Sequence, residues 1–229
     1  MVETTEITAT TMVETMAIRA LAAAFGAALI LSACSNATGP VSPADAARAR
    51  AEIKTGVRAF GHRSFKIALD HFNRALALVP SSLDARYDRG ITEENLHAYG
   101  PAMDDLQSVV DNRPDWNNAR LHLAAAQFQA HRFADSARNF DIALASNSKA
   151  GKLWLDDGVS YYRMKRYADA RLRFARALAL SPKSGRAHFW LGMTYRHLGN
   201  PKARGELALA AHSRDVVVRS AARRQLTAR

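Results

Sequence analysis

Apolar positions along the 229-residue chain fall into two patterns that call for different surroundings. From Ala20 to Leu31 the chain reads ALAAAFGAALIL, an unbroken uncharged run behind Arg19. Further on, apolar and small residues recur at a fixed step. Glycines stand at 56, 90, 158 and 192, with Ala124 in the missing place, so each step is 34. Ala68, Ala102 and Ala170 keep the same step with Ser136 between them, as do Pro80, Pro114 and Pro182 with Ser148. Three residue types recurring together at this period predict a solenoid.

The fourth copy, from Trp154 to Pro182, resembles a helical-repeat family, which implies two antiparallel helices in each copy. The small residues at positions 8 and 20 belong where the pair crosses, because a side chain larger than methyl would separate the axes there. Bulky residues at positions 11 and 24 fill the surrounding groove, and proline near position 32 ends the second helix. A single pair cannot bury its apolar faces, so neighbouring copies must stack. The expected fold is all-α, with copies at 49–82, 83–116, 117–150, 151–184 and 185–212 inside a repeat domain of 43–212. Ser42, Pro43 and Asp45 predict the start of the first helix. Residues 213–229 predict a capping helix with Ser213 as N-cap and Asp215 in its first turn. Val217, Ala221 and Leu226 would form its packed side, with Arg223 and Arg224 in the last turn.

In the fourth copy, Trp154, Gly158, Tyr161, Tyr167, Ala170, Phe174, Ala177 and Pro182 resemble the tetratricopeptide-repeat signature at every position. Across the copies the repeat-packing residues are then Gly56, Ala68, Gly90, Ala102, Trp154, Gly158, Tyr161, Ala170, Phe174 and Gly192. Copy two departs at Leu106 and Val109, and copy five has Arg204 in the alanine place, although Asn200-Pro201 still opens a second helix. The resemblance implies that the first helices line a concave face. Its positions 5, 9 and 12 hold Ile53, Val57, Phe60, Tyr87, Ile91, Leu121, Phe128, Leu155, Val159, Tyr162, Phe189 and Met193. With Ala125 these make thirteen apolar or aromatic residues out of fifteen, Glu94 and Arg196 being the exceptions. Relatives that clamp a terminal carboxylate use Lys, Asn and Arg at positions 5 and 9, where this chain has none. Such a trough suits an amphipathic helix or a hydrophobic peptide. The alternative is that these side chains form the core of a tight superhelix.

A bilayer-spanning helix needs about 20 apolar residues, so the Ala20–Leu31 run has the proportions of a signal-peptide core instead. Leu31, Ser32, Ala33 and Cys34 resemble the bacterial lipobox, and Cys34 is the only cysteine in the chain. The resemblance implies cleavage before Cys34, a diacylglyceryl group on its sulfur and acylation of the new amino terminus, with no other cofactor. Each buried methylene contributes about 0.8 kcal/mol and one chain anchors only marginally, so triacylation is what makes such an anchor lasting. Ser35, rather than the aspartate that retains this family at the inner membrane, implies an outer-membrane lipoprotein facing the periplasm. The other reading is an ordinary signal peptide with an incidental cysteine. Residues 1–15 carry Glu3, Glu6 and Glu14, the wrong charge for a signal peptide, so Met16 is the expected start and 16–33 the signal; a genuine acidic leader is the alternative. Residues 34–42 then read as the lipidated cysteine and a tether.

Charge changes the picture less. The whole chain carries +11, and 34–229, with 31 Lys and Arg against 18 Asp and Glu, carries +13. Clusters at Lys165, Arg166, Arg171, Arg173, Arg176 and at Arg214, Arg219, Arg223, Arg224, Arg229 would suggest nucleic acid in a cytosolic protein. Export argues against that, leaving anionic headgroups, an acidic partner, or arginine used simply as a soluble helix former. Without a second cysteine, stability must come from packing. The pairs His62/His71, His122/His131 and His188/His197 sit in different registers of the repeat, so no metal site is expected, and Asp104-Asp105 and Asp156-Asp157 read as solvated helix faces. No catalytic set emerges. The expected function is a non-enzymatic scaffold. Its architecture is similar to tight-adherence (Flp) pilus assembly lipoproteins and type IV pilus pilotins, which implies a secretin or pilus subunit as partner. The alternative is an envelope adaptor docking peptidoglycan hydrolases or synthases.

Overall fold

Helices alternate with short turns throughout the residues that the computed structural model describes, 41–146 and 149–228. Cys34, its lipobox, Ser35 and the leader lie outside the described residues, as does Ser148. From Pro43 on, the described residues form one compact unit. Its helices pair as α1 (Pro43–Gly61) with α2 (Phe65–Leu78), α3 (Leu83–Asn95) with α4 (Tyr99–Asn112), and α5 (Asn117–Gln129) with α6 (Phe133–Ser146). Then α7 (Gly151–Arg163) pairs with α8 (Tyr167–Leu180) and α9 (Gly185–His197) with α10 (Ala203–Ala210), and α11 (Val216–Thr227) follows alone.

The glycine at position 8 is held by a more specific constraint than axis separation. A Cβ on Gly56 would lie 2.7 Å from the Phe72 ring, on Gly90 2.8 Å from Leu106, on Gly158 2.6 Å from Phe174 and on Gly192 2.8 Å from Leu207. In copies one, two and four the position-24 side chain of the second helix fills the notch left by the first, and in copy five Leu207, one position earlier, does so. Phe72, Leu106 and Phe174 are accordingly buried almost completely. At position 20, Ala68, Ala102 and Ala170 are fully buried. Ser136 replaces alanine in copy three without an orphaned hydroxyl, because its Oγ donates to the Ala124 carbonyl at 2.9 Å.

Both kinds of turn are built the same way in successive copies. Where the first helix passes to the second, two backbone bonds close the end: Lys165 N to Tyr162 O at 2.9 Å and Arg166 N to Tyr161 O at 2.9 Å in copy four, with the same pair around Arg63, His97, His131 and Gly199. This is the Schellman arrangement, and its C′ residue is left-handed, with φ between 60° and 64° at all five positions. Where the second helix passes to the next copy, the side chain at position 4 reaches back to the carbonyl of the proline itself. Arg86 donates to Pro80 O at 2.9 Å, Arg120 to Pro114 O at 3.1 Å and His188 to Pro182 O at 3.0 Å.

Contacts between copies give the unit its curvature. Successive first helices touch one another, α1 with α3, α3 with α5, α5 with α7 and α7 with α9. Second helices make no contact with one another among the described residues. The row of first helices is therefore the inner, concave layer.

The cap differs from the sequence expectation by two residues. Asp215 is the N-cap of α11, its carboxylate accepting from Val217 N at 3.0 Å and Val218 N at 3.3 Å, while Ser213 Oγ accepts from Asp215 N. The packed side rotates accordingly. Val218 and Ala222 are buried against Ala210 and Ala211, with Leu226 beside them, whereas Val217 is 76 % exposed.

Candidate functional site

The concave residues do not form one even trough. Leu155 and Val159 are buried, and Ile53, Phe60, Tyr87, Ile91, Leu121, Phe128, Tyr162, Phe189 and Met193 are half-buried. Val57 is exposed. Ile53 packs on the Ala49–Ala75 core and Phe60 sets its ring against Phe65 at 5.3 Å. At copies two and three the face is covered by its own side chains: Tyr87 lies against Trp116 at 4.8 Å, and His122 is bonded to Glu94 at 2.8 Å. Tyr162 joins Tyr167, Trp190 and His197, its hydroxyl 3.0 Å from the His197 ring nitrogen. Burial, then the neighbouring Tyr167, raises the Tyr162 phenol above its ordinary value.

Four of the twelve do converge. Phe128, Leu155, Val159 and Phe189 line a cleft of about 400 Å³ between α5, α7, α9 and the cap. Trp190, Val217, Val218 and Ala221 complete its walls, and Asp156, Arg163, Arg186 and Asp215 form its rim. The Arg163 guanidinium lies over the Trp190 ring at 5.8 Å, and Arg186 Nε donates to Asp215 at 3.3 Å. The N–H groups of the cap helix, Val218 first, hold Asp215 below the ordinary carboxylate range against a smaller desolvation. Burial pushes Asp156 up, with Lys152 and Arg186 opposing. Sequence reasoning missed Trp190 and the cap residues. The first sits at position 6, outside the positions surveyed, and the cap residues depended on a helix register set two residues too early. The cleft has the size and lining to take one or two bulky apolar side chains, with both signs of charge at its mouth.

The acidic pairs behave unlike solvated faces. Asp104 is exposed, but Asp105 is 5 % exposed and Asp157 fully buried. Arg89 grips Asp105 through Nε at 2.6 Å and Nη2 at 2.8 Å. Arg173 donates to Asp157 at 3.1 Å and to Asp141 at 2.7 Å, and Asp141 also accepts from the Tyr161 hydroxyl at 2.5 Å. Burial, with the nearby Asp141, pushes Asp157 up to about 7 against Arg173. Burial, with Asp105, does the same to Glu93, also to about 7. Arg89–Asp105 and Arg173–Asp157 each join the two helices of a pair, Asp141 ties α6 of the preceding pair to the second of these, and the groups are structural. Among the described residues no group of three or more His, Cys, Asp and Glu side chains could hold a metal, and no helix is long and apolar enough to cross a membrane.

A tetratricopeptide-repeat family profile matches residues 121–172 and 155–214. Over residues 121–214 the chain matches that family, and its fold is an all-α solenoid of the tetratricopeptide-repeat (TPR) kind. A Hsp70-Hsp90 organizing protein from Triticum aestivum is 30 % identical over 102 residues, 44 % of this chain and 17 % of the relative, so the chain spans about a sixth of that protein's length. Among solved structures, YrrB, described as a TPR protein with an unusual peptide-binding site, superposes with a TM-score of 0.69 at 18 % identity over 76 % of this chain and 90 % of its own. MamA from Desulfovibrio magneticus RS-1 does so at 0.68 and 15 % identity over 82 % of this chain and 100 % of its own. At these identities the TPR likeness to solved structures is one of fold.

Proposed function

We propose that this TPR solenoid is a non-enzymatic scaffold that holds an amphipathic helix or hydrophobic peptide in the cleft between copies three to five and the cap. The observation that carries this is the cleft itself. On a face covered at copies two and three by its own side chains, it is an opening walled by Phe128, Leu155, Val159, Phe189 and Trp190, with the 76 % exposed Val217 at its lip. The peptide-binding description of the structurally similar YrrB supports the same mode. The chain's place in the cell, in this reading, is the periplasmic face of the outer membrane, through acyl chains on Cys34. Its passenger is a secretin or pilus subunit, delivered or retained there while it assembles. The support is the lipobox and the architecture of a lipoprotein with five repeats.

A photo-crosslinking residue placed at Val217, with the exposed Arg171 as control site, tests the reading in native outer membranes. A Val217-specific adduct with a secretin or pilus subunit supports it. An adduct with a peptidoglycan hydrolase or synthase replaces the pilus assignment with the adaptor one, and equal labelling from both sites removes the cleft from the function. Release of a Cys34→Ala chain into the soluble fraction would support the anchor; persistence with membranes after a high-salt wash would refute it.

A further inference from the structure

One backbone position recurs through all five copies and is taken by glycine only in the last. Arg63, His97, His131 and Lys165 have φ of 60°, 61°, 60° and 61°, and Gly199, the same place in copy five, has 64°. An L side chain is crowded against its own backbone in this region and glycine is not. All four are exposed, and contacts made by the side chain account for only two of them: His97, whose Nδ1 lies 2.7 Å from the Tyr99 hydroxyl, and His131, against Phe133. What the four share is chemistry: each is arginine, lysine or histidine. Spaced one repeat apart, they line the edge of the solenoid where first helices turn into second helices.

Among the described residues none of the four is in an ion pair, and the one carboxylate that shares a cleft with Arg63 and His97 is that of Glu94. Carboxylates on that edge are already engaged, Asp135 by Arg132, Asp169 by Arg166 and Glu94 by His122. Two residues beyond each basic tip an aromatic ring opens the second helix: Phe65, Tyr99, Phe133 and Tyr167, all half-buried. The His97 and His131 rings stand edge-on to their neighbours at 5.8 and 5.6 Å. A basic row raised above half-buried aromatics is amphipathic in the sense of side chains that sit at a lipid–water boundary. Being a line of turn tips, the row matches an extended sheet of negative charge rather than one small ion.

We propose that this edge binds anionic phospholipid headgroups, so that the solenoid lies side-on to a membrane. The inference is independent of the cleft and of acylation at Cys34.

The test uses the full chain carrying Cys34→Ala, cosedimented with vesicles of phosphatidylcholine alone or of phosphatidylcholine and phosphatidylglycerol in equal parts. Binding is expected only to the anionic vesicles, weakening with salt. Replacing all four residues by glycine is expected to weaken it about tenfold or more while the melting temperature holds or rises. The pair Arg63→Gln with Lys165→Gln, which keeps the backbone demand, is expected to give most of that loss. Arg171→Gln with Arg176→Gln removes the same formal charge from exposed sites elsewhere and is expected to bind like the parent. Absence of phosphatidylglycerol-dependent binding, an undiminished four-glycine variant, or an equal loss in the Arg171/Arg176 control would each overturn the proposal. So would displacement of the chain from vesicles by equimolar duplex DNA, which would assign the edge to nucleic acid.

Discussion

Arg173 donates to Asp157 across 3.1 Å, and the second oxygen of that fully buried carboxylate receives no hydrogen bond. Arg173 divides its donors between Asp157 and Asp141, so Asp157 is desolvated more than it is compensated. A carboxyl lifted from 3.8 to about 7 binds its proton more tightly in the folded chain than in the unfolded one. Stability from this group is therefore present at low pH and lost as pH rises through about 4 to about 7. Glu93, lifted to about 7, and Asp88, lifted to about 6 by burial and by Asp84, act in the same sense. The expected outcome is a melting temperature that falls across that window. Asp157→Asn should flatten the fall by roughly 1–2 kcal/mol, because Arg173 keeps Asp141. An unchanged slope in thermal melts would mean that Asp157 stays ionised throughout.

Arg89–Asp105 and Asp157–Arg173 are the same contact with the charges exchanged. Position 7 is basic and position 23 acidic in copy two, and the reverse holds in copy four. Because Arg89 otherwise bonds only the neutral Asn73, copy two should accept the opposite polarity. Asp105→Ala alone is expected to cost about 3–5 kcal/mol by stranding a partly buried guanidinium. Arg89→Asp combined with Asp105→Arg should come within about 1 kcal/mol of the parent in denaturant titration. If the swap is as damaging as the single change, the pair is held by the surrounding shape and not by charge.

This reciprocity also marks the limit of sequence reading here. The repeat, its helix pairs and the packing glycines were legible because each copy restates the same apolar side chains at a step of 34. Asp105 and Asp157 were misread as solvated because their partners lie 16 residues away with the sign reversed, so matching residue types between copies hides them. Comparing opposite charges at positions 7 and 23 would have exposed both. The left-handed turn residues were hidden for a related reason, since Gly199 alone has the residue type that signals such a φ. In the cap, Ser213 and Asp215 both have capping side chains. Only the bonds to Val217 N and Val218 N decide between them, and that choice rotates the buried face from Val217 to Val218.

Glycine should be indispensable where it meets a neighbour and dispensable where it does not. At Gly158 an added methyl would sit 2.6 Å from the buried Phe174 ring, whereas around Gly205, inside α10, nothing lies within 4 Å. Gly158→Ala is expected to destabilise by about 1–3 kcal/mol through overpacking. Gly205→Ala should stabilise by up to about 1 kcal/mol through helix propensity. Melting temperatures moving in the same direction for both would contradict the notch-and-ring account of the repeat.

The turn residues give an opposite case, in which glycine should be gained. Lys165 holds φ of 61° with an exposed side chain. Lys165→Gly keeps both Schellman bonds, which are backbone to backbone, and removes the crowding at Cβ. Set against the greater entropy of glycine in the unfolded chain, the net gain is expected to be about 0.5–1 kcal/mol. The same change at His131 should behave alike, so a loss at either site in chemical denaturation would show that the side chain contributes packing.

Two substitutions in the cleft separate its lip from its floor. Leu155 is 9 % exposed and packs in the core cluster that contains Phe174 and Leu191, while Val217 projects from the cap into the same cleft at 76 % exposure. Leu155→Glu buries a charge in that cluster and is expected to cost several kcal/mol, about 3 or more, so lost partner binding would say nothing about recognition. Val217→Asp leaves the core untouched and should change stability by no more than about 0.5 kcal/mol. It also places a negative charge beside the rim carboxylates Asp156 and Asp215, at the mouth an apolar side chain would have to pass. Crosslinked yield of the partner should then fall several-fold while helical circular dichroism and melting stay at parental values. Full partner binding by Val217→Asp would move recognition off this cleft.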